Sequence, residues 1–198
     1  MKTKRIQKAQ QIIKSFANAI NNIIIQEEFS KAIETINDCE GKIVTTGMGK
    51  AGIVMRKFSS TLCSLGIPSC YLHPGEASHG DLGILTSKDI FFVASTSGKT
   101  REVMEIMELA RNVGVKTIIG ITSHPDSPVR KQTNIVLDMG VIKEAGDLGL
   151  APTTSIIVML ALTDCLAIIA SEAKNLTKEE YGKYHHSGYL GQKARNEV

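Results

Sequence analysis

Two segments place glycine and hydroxyl side chains directly after short β-branched runs, an arrangement suited to holding a phosphate group. The first is Ser95-Thr96-Ser97-Gly98-Lys99-Thr100, which leads straight into a helical pattern. Ser95, Ser97 and Thr100 can donate hydroxyl hydrogen bonds, Gly98 lets the backbone approach closely, and a helix start offers free N–H groups. The same residues also suit an N-cap at Ser97 or a plain turn. The loop alone therefore leaves phosphate binding and a plain cap or turn both open, and names no particular reaction. The second segment, Thr45-Thr46-Gly47-Met48-Gly49-Lys50, ends on a lysine. Neither is a nucleotide signature: the first does not meet the Walker A spacing. Ile53 and Val54 follow Gly49 where a dinucleotide fingerprint needs a third glycine.

Proton-carrying groups lie close by in the chain. Glu102 falls in the first turn after the Ser/Thr loop, where an acid is also favoured by the helix dipole alone. Glu144 lies in the connection Gly140–Leu150, a long loop of the kind that is often functional. The segment His73-Pro74-Gly75-Glu76-Ala77-Ser78-His79-Gly80-Asp81 is the densest run of ligand-type side chains. Its spacing fits no common zinc pattern, so acid–base work or binding of a substrate hydroxyl is expected there, and no metal or other cofactor. His185 and His186 stand in a polar tail.

These residues need a scaffold, and the apolar pattern supplies one. Residues 2–38 read as one long amphipathic helix, with Ile6, Ala9, Ile13, Phe16, Ile20 and Ile23 on one face and Asn21-Asn22 as the place for a bend. From Lys42 the pattern changes to short runs, Ile43–Thr46, Pro68–Leu72, Ile90–Ser95, Thr117–Thr122 and Ile135–Asp138. Helical stretches separate them at Lys50–Leu65, Thr100–Val113 and Asp126–Gln132. Val103, Ile106, Ala110 and Val113 form the expected buried stripe of the second. Strand–helix alternation implies an α/β fold, a parallel sheet covered on both faces, with ligands beyond the carboxyl ends of the strands where their order reverses. A last helix starting at Pro152 is apolar almost all round, which calls for burial in the core and at a subunit interface. The expected organisation is a single domain over 1–198, with an N-terminal helix to residue 40, an α/β core over 41–175 and a tail over 176–198.

Composition narrows the class further. The chain of 198 residues is 42% hydrophobic and 22% charged, with a net charge of +3. So small and dispersed a charge gives no reason to expect nucleic acid, and no basic recognition helix is evident in residues 1–40. The apolar stretch Ile156–Ala170 holds 15 residues, including Thr163 and Asp164, and is expected to be too short and too polar for a membrane span. Four cysteines without a Cys-x-x-Cys pair, and no apolar leader, suggest reduced thiols in a cytoplasmic protein.

Taken together, Gly47-Met48-Gly49-Lys50, His73–Gly83, Ser95–Thr100 with Glu102, and Lys143–Thr154 resemble the sugar isomerase (SIS) superfamily. Within it they are similar to the arabinose-5-phosphate isomerases of the KpsF/GutQ/KdsD type, over residues 10 to 193 and in the same order. The resemblance implies a flavodoxin-like, five-stranded parallel sheet in a homotetramer whose active sites combine neighbouring subunits. It implies interconversion of D-ribulose 5-phosphate and D-arabinose 5-phosphate, the step that leads to Kdo for lipopolysaccharide or capsule. It carries catalytic positions onto Lys50, Glu102, Glu144, His79 and the tail histidine, His185 or His186. The phosphate loop falls on Ser95, Thr96, Ser97 and Thr100, with Gly47, Gly49, His73, Glu76 and Thr153 as further substrate contacts.

There are departures from the family pattern. Lys99 replaces the glutamate of many members and adds positive charge beside the phosphate loop. The tail motif HPGGALG stands here as His185-His186-Ser187-Gly188-Tyr189-Leu190-Gly191. Many relatives continue into paired CBS domains, so regulation through such domains is not expected of this chain. The chemistry expected is proton transfer between C1 and C2 by Glu144, with the tail histidine opening the ring from an adjacent subunit. Lys50 would stabilise the oxyanion, and Glu102 would orient a hydroxyl or base. The alternatives are an isomerase of a hexulose or heptose phosphate, and a non-catalytic SIS module that senses a sugar phosphate.

Overall fold

The computed structural model describes residues 2–197; Met1 and Val198, the ends of the expected N-terminal helix and tail, lie outside the described residues. Its centre is a five-stranded, all-parallel sheet of β1 (Ile43–Gly47), β2 (Ser69–Tyr71), β3 (Ile90–Ala94), β4 (Thr117–Thr122) and β5 (Ile135–Asp138). The strand order is β2-β1-β3-β4-β5. This is the flavodoxin-like order, and it reverses between β1 and β3. Connecting the strands are α3 (Gly49–Ser64), α4 (Pro74–Ala77), α5 (Arg101–Asn112) and α6 (Pro128–Gln132), with a short 3₁₀ turn at Asp81–Ile84. The boundaries expected from the sequence for the five strands and for α3, α5 and α6 hold to within two residues.

Alternation along the strands sends successive side chains to opposite faces. Ile43, Phe92 and Ile119 face one core, while Val44, Phe91 and Ile118 face the other. The first core is closed by α2 (Glu27–Asn37), α3 and α7 (Thr154–Ala173). There Phe58 of α3 meets Phe92 edge-on at 5.3 Å. The second is closed chiefly by α5 through Val103, Ile106, Met107 and Ala110. Val113, expected in that stripe, is instead exposed, because the helix has ended and Val113 is its C-cap. Cys39, Cys63, Cys70 and Cys165 are unbridged.

Four further expectations are corrected. The long first helix is two helices, α1 (Lys2–Asn21) and α2, separated at residues 22–26. Asn21-Asn22 followed by three isoleucines is a poor helix-forming run, since asparagine competes for the backbone and β-branching restricts side-chain rotamers. The apolar side of α1 is largely open, with Ile13 65% exposed and no residue of the helix buried. The last long helix begins at Thr154, not Pro152, and the tail folds as α8 (Lys178–Tyr184) and α9 (Tyr189–Ala194). Finally, α7 is 20 residues long and, by length and composition, apolar enough to cross a membrane; its most apolar window is 56% buried within the fold. The extra helical residues at each end of Ile156–Ala170 supply the length that the sequence stretch lacked.

At the amino-terminal end of the sheet, Asp89 is only 3% exposed. Its carboxylate accepts bonds from Lys42 N at 2.9 Å, Lys42 Nζ at 2.7 Å and Thr86 N at 2.7 Å. Burial pushes its pKa up, but the bonds from Lys42 and Thr86 outweigh that and hold it below the usual carboxylate value. Asp89→Ala should destabilise the fold by about 2 kcal/mol, read by chemical denaturation, because it strands buried donors. The wild-type contribution should be fully present above pH ~4 and fade as the pH falls through the depressed folded-state value.

Candidate active site

The reversal of strand order puts two loops side by side, because Gly47 of β1 is in register with Ala94 of β3. The first loop turns from β1 into α3. Tyr71 at the end of β2 donates its hydroxyl to Gly47 O at 2.8 Å and ties this turn to the neighbouring strand. Gly49 adopts φ +59°, a conformation that costs a side chain strain, and Lys50 follows in the first turn of α3 with its side chain exposed.

The second loop is braced from within and behind. Ser95 and Thr100 pair through their hydroxyls at 2.8 Å, and Gly98 N donates to Ser95 Oγ at 3.1 Å. Behind it, Ser123 Oγ and Thr122 Oγ1 both donate to Thr96 O, at 2.9 and 3.2 Å. Gly98 has φ +62°, and a Cβ there would lie 2.3 Å from Ser127 Cβ, so no larger residue fits. The N-cap of α5 is Thr100, not Ser97, and its hydroxyl makes no capping bond. The helix start is therefore left with free N–H groups, the arrangement that suits an anion.

Glu144 reaches the same place from the loop before α7. Its Oε2 accepts from Thr153 N and Thr154 N, each at 2.8 Å, and from Ser155 N at 3.4 Å. It thus caps a helix whose own N-cap residue, Thr153, supplies no side-chain capping bond. Burial raises the Glu144 pKa, but the Ser155 hydroxyl and the backbone N–H groups at 153–155 together bring it below the usual value. The Ser155 Oγ nevertheless meets no partner with hydrogen-bond geometry among the described residues.

These elements surround a cavity of about 770 Å³ lined by Gly49, Lys50, Ser95, Thr96, Ser97 and Thr100, and by Glu144 and Ser155. Ser123, His124, Ile142, Leu150 and Pro152 also line it. A cavity of this size, with hydroxyl groups, Lys50 and Glu144 on its walls, can take an open-chain sugar with one anionic end. Ser123, His124 and Ser155 were absent from the sequence expectations. Ser123-His124 follows β4 and could have been found by the strand-end rule that located the other loops; Ser155 carries no such signal, being one hydroxyl among several at a helix start.

Other expected residues lie elsewhere in the single chain. His73 caps α4, its Nδ1 accepting from Gly75 N at 3.2 Å. It lines a separate cavity of about 630 Å³ with Arg56, Tyr71 and Asp81. Glu76 and His79 are exposed, and Glu102 is half-buried at the start of α5; none of the three lines either cavity. His185 stacks on Tyr181 at 3.9 Å between ring centres and pairs through Nδ1 with Tyr181 O at 3.0 Å, while His186 is exposed. Neither tail histidine lines the 770 Å³ cavity. Gly47 and Thr153 hold the two loops but do not line it.

The SIS domain family profile matches residues 36–169. The chain is 40% identical over 190 residues to arabinose 5-phosphate isomerase KdsD of Pseudomonas aeruginosa, covering 95% of this chain and 58% of that protein. It is 39% identical to Escherichia coli K12 KdsD, covering 85% of this chain and 51% of the other. The chain thus spans about half the length of the curated relatives it matches. Among solved structures, a candidate phosphosugar isomerase of Bacteroides fragilis involved in capsule formation superposes with TM-score 0.90 at 42% identity, covering 93% of this chain and 99% of that one. An E. coli CFT073 protein solved in complex with arabinose 5-phosphate superposes with TM-score 0.89 at 33% identity, with the same two coverages. The strand order, the two loops at its reversal and these matches agree: the chain belongs to the SIS domain family.

Proposed function

We propose that this chain is an aldose–ketose isomerase interconverting D-ribulose 5-phosphate and D-arabinose 5-phosphate. The observation that carries the reading is one cavity lined together by a hydroxyl-bearing anion loop, Lys50 and Glu144. The names of the KdsD relatives and the E. coli complex with arabinose 5-phosphate support the choice of sugar. The phosphate sits against Ser95, Thr96, Ser97, Thr100 and the start of α5, which leaves C1 and C2 towards Glu144.

From arabinose 5-phosphate, Glu144 takes the proton from C2, the C–H electron pair forms the C1=C2 bond, and the C1 carbonyl oxygen gains a proton. The enediol then loses its C2 hydroxyl proton as C1 receives one from the same carboxylic acid, giving the ketose. Lys50 holds the oxygen that becomes negative, and one positioned acid–base group contributes typically about 10²–10⁴-fold. Ring opening falls to His185, or to His186, from a neighbouring subunit, with His79, His73, Glu76 and Glu102 completing the shared site. Gly47, Gly49 and Thr153 contribute through the backbone they shape.

That assignment needs an assembly, and the reading includes a homotetramer. The open apolar side of α1 and the exposed Ile168 and Ile169 of α7 offer surface for it. Further parts of the reading are a cytoplasmic enzyme and a product that feeds Kdo for lipopolysaccharide or capsule. A turnover assay on ribulose 5-phosphate, followed by formation of the aldose, tests the function directly; no conversion at high enzyme concentration would overturn it. Ser97→Ala should raise KM about 10-fold with kcat little changed, since it removes a donor to the phosphate and not to the reacting carbons. Unchanged KM would remove Ser97 from the phosphate site.

A further inference from the structure

Ser155 is fully buried, and its hydroxyl has no hydrogen-bond partner among the described residues. Its own helix shows what an idle hydroxyl does in α7. Thr163 donates to Met159 O at 2.9 Å, and Ser171 donates to Ile168 O at 2.8 Å. Ser155 has no such outlet, because in the first turn the carbonyl four residues back lies outside the helix. Leaving a buried hydroxyl unpaired costs about 1–3 kcal/mol. An alanine would avoid that cost, so the serine serves either the Glu144 carboxylate beside it or a molecule that enters the cavity.

The surroundings supply both candidates. Ser155 lines the same cavity as Lys50, Glu144 and the phosphate loop, and its backbone N–H is one of the three that hold Glu144 Oε2. Only this oxygen of Glu144 is bonded; Oε1 makes no hydrogen bond among the described residues. The hydroxyl therefore stands beside the proposed proton carrier at the wall of the cavity, near enough to help lower the Glu144 pKa but without hydrogen-bond geometry to it.

We propose that Ser155 is a substrate ligand, donating its hydroxyl to the oxygens on C1 and C2 of the sugar alongside Lys50. This inference rests on the isomerase reading given above and adds a residue to it. Bound substrate supplies the hydroxyl with a partner, and the bond strengthens as charge gathers on those oxygens during enediol formation. Hydroxyl donors aimed at developing charge in a water-poor pocket contribute to kcat more than to binding.

Removing Ser155 Oγ should therefore separate stability from activity. Ser155→Ala should fold with an unchanged or raised Tm while kcat for ribulose 5-phosphate falls about 10–100-fold and KM moves little. Ser155→Thr, which keeps the donor, should recover most of the lost turnover. A kcat within about twofold of wild type in Ser155→Ala would overturn the inference while leaving the isomerase reading intact. So would a loss of Tm accompanied by equal loss of activity in both variants, the mark of a structural hydroxyl, or an acid limb of kcat/KM that moves to higher pH in Ser155→Ala, the mark of a hydroxyl acting through Glu144. If the wild-type chain turns over no pentose phosphate, the isomerase reading fails first, and that result is read before any variant.

Discussion

Glu144→Gln is expected to lower kcat by about 10²–10⁴-fold, the range for a positioned acid–base group, and to abolish exchange of the substrate C2 proton with solvent. The substitution is close to isosteric. An amide oxygen can still accept from Thr153 N and Thr154 N, which now bond the carboxylate at 2.8 Å. What is lost is the charge, which favours the start of α7 by about 0.3–1 kcal/mol, and with it the ability to take a proton. A modest drop in stability with a large drop in turnover is thus the expected pattern.

The pH dependence follows from the same geometry. The folded-state pKa of Glu144 lies below the usual glutamate value, so the base is ionised throughout the neutral range. Its contribution to stability is present above pH ~4.3 and is lost only as the pH drops through the lower folded-state value. The acid limb of kcat/KM for the free enzyme should fall below that ordinary value as well. Solvent deuterium appearing at C2 in the Glu144→Gln reaction would assign the proton transfer to another residue.

Lys50→Ala should reduce kcat by about 10²–10³-fold, comparable to removal of one donor from an oxyanion site. Lys50 is exposed at the edge of the cavity and forms no ion pair among the described residues, so its loss should change Tm little. Lys50→Arg keeps the charge but offers a planar fork in place of a compact ammonium, and should recover only part of the rate. A Lys50→Ala enzyme with wild-type kcat and raised KM would make the lysine a phosphate contact instead.

Much of the fold was legible because its signals are local. Strands β4 and β5 match the apolar runs Thr117–Thr122 and Ile135–Asp138 to the residue. A β-branched run buried on both faces reads the same in the sequence as in the sheet. The two glycine-rich loops were likewise legible, since Gly49 and Gly98 occupy positive-φ positions that glycine adopts with least strain. The break between α1 and α2 was marked only by Asn21-Asn22, and periodicity alone carried the pattern across it. The polar composition of the tail conceals its helices, although Thr177 and Glu180 form a capping box that opens α8.

What the amino-acid order determined by itself was therefore the set of parts: five parallel strands, their crossover helices, and two anion-type turns at strand ends. Only the tertiary structure decided which parts meet. Strand order set β1 beside β3 and brought Lys50 against the Ser95–Thr100 loop, while His73–Asp81 went to the β2 edge and a different cavity. It also decided that Glu144 turns one oxygen to the start of α7, and that Ser155 is buried there without a partner among the described residues. The physical reason is that spacing along a chain encodes local geometry, whereas the pairing of distant side chains depends on how layers pack. Periodicity along one segment cannot report that packing.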